Sequence, residues 1–138
     1  MKDVRIWCLT DNDDGKKLAN TIRDLGLTVG LLREKNFKAA GIRYGDINVF
    51  IIDLLKKELA DIAKLIRSNE QMSEGLKFVF LPKRDIKKAV NVTMSLMHIE
   101  FISRPVNQRE FVLLLEKSVV VERYREMLKI VSSDAESR

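Results

Sequence analysis

The feature that most constrains the fold is the run Ile47 to Ile52, INVFII, the most apolar stretch of the chain, which ends abruptly at Asp53. A near-continuous run of β-branched and aromatic residues suits a strand covered on both faces, as in a parallel sheet. Other segments repeat the theme. Val4 to Leu9, Leu27 to Leu32, Lys77 to Leu81 and Ile99 to Ile102 read as four more short strands, the fourth in chain order stopped by Pro82. Between them the apolar period changes to that of a helix. Leu18, Ile22 and Leu25 follow a polar loop and cap at Thr10 to Gly15, and Gly26 stands where a helix ends in a left-handed residue. A short weak helix is expected over Asn36 to Tyr44, interrupted by Gly41. Leu59, Ile62, Ala63 and Ile66 form one stripe within Lys56 to Asn69, and Ile86, Ala89, Val90, Thr93 and Met97 another within Asp85 to Met97. A last helix is expected from Gln108 to Val131, followed by a loose polar tail, Ser132 to Arg138.

Five β-α units in strict alternation predict an α/β fold with a doubly wound parallel sheet. The division expected is a domain over residues 1–121 and a helix extension with its tail over 122–138. The 138 residues suffice for one core, and 46% apolar residues exclude a disordered chain. One cysteine, Cys8, excludes a disulfide framework and suits a reducing, cytoplasmic setting as a small buried hydrophobe. No segment reaches the roughly 18–20 apolar residues of a membrane span, and neither a membrane association nor a secretory signal is expected. The net charge of +5 is scattered over pairs such as Lys16-Lys17 and Lys87-Lys88, which read as solvated helix faces rather than a nucleic-acid stripe.

In an open α/β sheet ligands bind beyond the carboxyl ends of the strands. Thr10 and Asp11, Asp53, Pro82 and Lys83, and Ser103, Arg104 and Pro105 stand at those ends. Asp53 after six largely apolar residues requires an open strand end or a partner. Two readings stay open for this cluster: carboxylates relieved by a hard cation such as Mg²⁺, or an Asp–Arg ion pair with no chemistry. The glycines form no phosphate-binding loop, and the lone histidine, His98, supplies no triad or metal cluster.

With these residues in place the chain resembles the receiver domain of two-component response regulators, over about residues 3 to 120. The resemblance rests on the five-fold β-α order, Asp53 ending the third strand and Arg104-Pro105 ending the fifth. It implies a flavodoxin-like (βα)5 sheet in the order 2-1-3-4-5. It also implies that Asp53 is a phosphoacceptor fed by a histidine kinase or phosphotransfer protein, with Arg104 contacting the phosphate. Mg²⁺, weakly held, would take Asp11, Asp53 and the Leu55 carbonyl, with Asp13 or Asp14 as substitutes if the loop bends back. Phe101 would be the switch aromatic of the fifth strand. No enzyme activity is implied beyond Mg²⁺-dependent self-phosphorylation at Asp53.

The departures are equally specific. Thr10 replaces one acid of the metal pair, and Pro82 replaces the hydroxyl residue that ends the fourth strand, with neither a hydroxyl nor an N–H. Arg104 stands for the family's Lys. An atypical receiver follows, and the alternative is a phosphorylation-independent pseudo-receiver acting in protein–protein contact or dimerisation. Val121, Tyr124, Leu128 and Val131 carry the 3-4-3 spacing of a coiled coil, so a homodimer through the C-terminal helices is expected. An output domain or protein partner would act from outside these residues, since no DNA-binding helix-turn-helix fits in them. Two further classes remain, a flavin-binding domain that would purify coloured, and nucleic-acid binding by charge alone.

Overall fold

Successive side chains of a strand point to opposite faces of its sheet, and β3 (Ile47–Asp53) uses both. Val49 and Ile51 enter one apolar cluster, while Phe50 and Ile52 enter the other. All seven residues of β3 are buried, as the central strand of a doubly covered sheet must be. The computed structural model describes residues 3–33, 44, 47–92 and 98–136. Around β3 lie β1 (Val4–Thr10), β2 (Val29–Leu32), β4 (Leu76–Pro82) and β5 (Ile99–Arg104). Every pairing is parallel, in the order β2-β1-β3-β4-β5. This is the flavodoxin-like topology expected of the five β-α units.

The helices divide between the two faces. On one side α1 (Asp13–Asp24) and α5 (Gln108–Glu136) bring Leu18, Ala19, Ile22, Phe111 and Leu115 onto Ile6, Cys8, Val49, Ile51 and Phe78. On the other, α2 (Leu59–Arg67), α3 (Glu70–Glu74) and α4 (Ile86–Val92) bring Ile62, Ile66, Met72 and Ala89 onto Leu9, Phe50, Ile52 and Val79. The ends of α1 follow local chemistry. The Asn12 side chain accepts the Gly15 N–H at 2.9 Å, and Asp13 and Asp14 fill the first turn, where acids favour the helix dipole. Gly26 closes the helix at φ +87°, a conformation that penalises any Cβ.

Several boundaries differ from the sequence expectation. The helix expected over 56–69 is shorter, as α2, and an unexpected helix, α3, follows it, where the Asn69 side chain caps the first turn by accepting the Met72 N–H at 3.0 Å. Leu25 is not on the buried stripe of α1. It sits at the C-cap, beyond the last full turn, and is 51% exposed. The stretch 132–136, expected to be a loose tail, continues α5, since it contains no proline or glycine to stop the helix. The weak helix expected over 36–44 and the Thr93 to Met97 part of the fourth helix lie outside the described residues, apart from Tyr44.

Each of four strands also runs past its apolar stretch, because ladder hydrogen bonds are indifferent to side-chain polarity. Thr10 thereby registers with Asp53, and Pro82 with Arg104. Pro82 therefore ends β4 from within rather than stopping it from outside, as a last strand position tolerates a missing N–H. At the opposite end of β4, Lys77 is fully buried, and its Nζ donates to the Ser73 and Gly75 carbonyls at 2.7 and 2.8 Å. Burial lowers its pKa to about 8.

Candidate functional site

The carboxyl ends of the strands gather the polar residues at one edge. Asp53, 5% exposed at the end of β3, accepts a hydrogen bond from the Arg104 guanidinium at the end of β5. Burial leaves a carboxylate in need of such a partner, and the planar guanidinium supplies donors without being able to lose its charge. The two residues bracket β4, so the pair spans three adjacent strands.

Asp11 follows β1 and is spent differently. Its Oδ1 accepts the Leu55 N–H and its Oδ2 the Lys56 N–H, both at 2.9 Å. Asn12 Nδ2 donates to the same Oδ1 at 3.1 Å and to the Asp53 carbonyl at 3.2 Å. Burial acts to raise the Asp11 pKa. The Lys56 and Leu55 N–H groups, the Asn12 amide and the Lys56 charge outweigh it and hold the carboxyl below its usual range. Asp11 thus ties the loop after β3 to the loop after β1. Leu55 itself is exposed and contributes its N–H to this tie.

Thr10, in the position where the family resemblance calls for an acid, has a packing reason to be there. Its Oγ1 donates to the Asn12 carbonyl and accepts the Asn12 N–H, both at 3.2 Å. A Cβ placed on Gly15 would lie 2.0 Å from that Oγ1, so the first turn of α1 rests directly on the threonine. Asp13 is turned to solvent near Lys16, and Asp14 reaches the rim of the site. Neither joins Asp11 and Asp53 in a metal cluster, and among the described residues no group of three or more His, Cys, Asp or Glu is placed to hold a cation. Mg²⁺ at this edge would compete with hydrogen-bond donors for the oxygen lone pairs it needs. Here Asp11 faces three N–H donors and Asp53 a guanidinium.

A cavity of about 580 Å³ opens over the ion pair, lined by Asn12, Asp14, Asp53, Lys83, Arg104 and Gln108 among its polar residues, with Phe80, Pro82 and Val106 among its apolar ones. Pro82 thus faces the site and offers it no donor. Phe101, on β5 beside Val79, is half-buried against the cluster of α2 and α4 and lies away from this cavity. The sequence brings Asp53, Arg104, Asp11 and Pro82 to one edge, as their strand-end positions require. Asn12 and Gln108 carried no signal of their own. Asn12 was legible only as part of a polar cap, and its two amide hydrogen bonds to the Asp11 carboxylate and the Asp53 carbonyl need the folded loops. Cys8 is buried beneath the site. Its thiol is pushed up to about 12 by burial and by the Asp53 charge, partly offset by Arg23, which disfavours the thiolate.

No family model and no curated protein sequence matches the chain. Solved structures do. A response regulator receiver protein from Pseudomonas putida superposes with a TM-score of 0.61 at 17% identity, covering 82% of this chain and 95% of that one. The phosphorylated cyanobacterial phytochrome response regulator RcpA gives 0.53 at 15% identity, covering 82% and 89%. A streptococcal redox sensor, of a family evolved from two-component response regulators, gives 0.59 at 17% identity over 91% of this chain and 54% of that one. With the sheet order, the strand-end site and these superpositions together, the chain has the receiver-domain fold of response regulators.

Proposed function

We propose that this chain is a receiver-like signalling module that works through protein contact and without phosphorylation of Asp53. The observation that carries the reading is the occupation of both carboxylates: Asp53 by Arg104, and Asp11 by the loop N–H groups of Leu55 and Lys56. Phosphoryl transfer to an aspartate needs a positioned metal and donors aimed at the transferring oxygens. In this reading Thr10 and Pro82 have given up one metal ligand and one hydroxyl, and the edge has become a fixed structural joint. The partner is a protein or an output domain, and the setting is the cytoplasm, where a lone cysteine stays reduced. No enzyme activity belongs to this reading.

A second reading keeps Asp53 as a phosphoacceptor for a histidine kinase or phosphotransfer protein. It is favoured by the cavity over Asp53, where Lys83 and Arg104 would meet an anion. It needs Mg²⁺ and requires Arg104 to turn from the carboxylate to the phosphoryl group, with the α4 and Phe101 surface repacking as the readout.

Intact mass after incubation with Mg²⁺ and acetyl phosphate separates the two, with Asp53→Asn as control. The proposed reading expects the unmodified mass for both chains, also with a panel of histidine kinase or phosphotransfer donors. One phosphoryl adduct on the wild type, absent from Asp53→Asn, would overturn it.

A further inference from the structure

The helix α5 changes the face it shows to the domain part-way along its length. Up to Val119 its inward side is apolar: Phe111, Leu115 and Val119 are all buried in the core beside α1. Beyond Val119 the inward side is charged. Glu122, Arg125, Glu126 and Lys129 line a groove under the opposite, amino-terminal edge of the sheet, beside Ile47, Leu76 and His98. They pair among themselves, Arg125 with Glu122 at 3.2 Å and Lys129 with Glu126 at 3.3 Å.

Five apolar side chains of this segment stand on the other face. At 100° per residue, Val120, Tyr124, Met127, Leu128 and Val131 fall within an arc of roughly 100°, and all five are exposed, from 51% to 65%; Val121 stands at the edge of the arc in a groove beside Leu76 and Ile99, and Ile130 lies off it. An ordinary surface helix does the reverse, burying its apolar stripe and exposing its charges. The extension therefore meets its own domain mainly through charged side chains.

We infer that this stripe is the interface with a second copy of the chain, paired helix to helix. Three observations choose that occupant. Val120, Tyr124, Met127 and Val131 have the 4-3-4 spacing at which two equal helices interlock their side chains. The stripe carries no charged residue, so it meets itself across a two-fold axis without like-charge contact, whereas the rest of a chain of net charge +5 repels its copy. The five residues expose on the order of 600 Å² per copy, the larger part of the roughly 800 Å² per partner of a standard stable interface. The inference does not rest on how Asp53 is used.

Sedimentation equilibrium or light scattering on the full chain tests it. The expected mass is about twice the 15.9 kDa of one chain at micromolar concentration. Leu128→Glu and Tyr124→Glu are expected to return it to the single-chain mass with the far-ultraviolet dichroism of the domain preserved. Lys129→Gln, on the inward face, is expected to remain a dimer. Where a glutamate variant does not fold, Leu128→Ala is expected to weaken self-association about tenfold or more. A wild type that stays monomeric at 100-fold higher concentration would overturn the inference, as would a dimer indifferent to Leu128→Glu. A monomer that instead binds another protein through the stripe also overturns it. Any of these outcomes leaves the reading of Asp53 standing, since that is read by phosphoryl mass alone.

Discussion

At Asp11 three N–H donors converge on one carboxylate, and two of them come from the loop after β3, so this residue joins two loops. Removing it leaves the Leu55 and Lys56 N–H groups without that acceptor. Asp11→Ala is expected to lower stability by about 1–2 kcal/mol, read as a lower urea midpoint, with Asp11→Asn in between because it keeps one acceptor oxygen. The pH dependence has a defined sign. The Asp11 carboxyl is held below its ordinary value of 3.8 in the folded chain, so the unfolded chain takes up the proton first as acid is added. The stability it contributes is full above that ordinary value and is lost as pH falls through the lower folded value. Asp11→Asn is expected to remove this acid-sensitive part, so that the two unfolding curves converge below pH 4. A metal-ligand role alone would instead make the substitution neutral or stabilising in the absence of divalent cations, since it would relieve repulsion with Asp53.

Among the elements, α1 shows how a local preference yields to packing. Alanine is the better helix former by about 1 kcal/mol, yet Gly15 lies so close to β1 that a Cβ would come within 2.0 Å of Thr10 Oγ1 and 2.5 Å of Thr10 Cβ. Gly15→Ala is expected to destabilise by about 1–3 kcal/mol in chemical denaturation, against the propensity scale. Thr10→Ala on that background is expected to restore only part of the loss, because the Cβ of residue 10 stays. The same contact accounts for the missing acid: a charged side chain at position 10 would have to desolvate against the α1 backbone. At the foot of β4, Lys77 shows a related economy of elements, its ammonium closing the turn from α3 into the sheet through two carbonyls.

For the molecule as a whole, the sheet separates two apolar layers that share one backbone. Ile51 and Ile52 are neighbours in the chain, both fully buried, and belong to different layers. Ile51→Ala and Ile52→Ala are each expected to cost about 2–5 kcal/mol. Their side chains do not share a cavity, so the double variant is expected to lie within about 0.5 kcal/mol of additivity while unfolding stays a single transition. Strong coupling between the two, measured by a double-mutant cycle in urea, would mean that the layers deform together through β3.

The sequence by itself determined the parallel α/β architecture. Its signals are local: the unbroken run ending at Asp53, the change from strand to helix period, and the glycine that closes α1 at a positive φ all act within a few residues. It also placed Asp53, Arg104, Asp11 and Pro82 at strand ends, because a parallel sheet sends all of its carboxyl ends to one edge. What those residues do there was decided only in three dimensions. Whether Asp11 faces a cation or the N–H groups of another loop depends on donors that every residue but proline carries, which therefore leave no mark in a sequence. The outward turn of the apolar stripe on α5 was likewise beyond sequence reach. Spacing defines a stripe, but only the position of the helix against the sheet shows that the charges face the domain and Val120, Tyr124, Met127, Leu128 and Val131 face away from it.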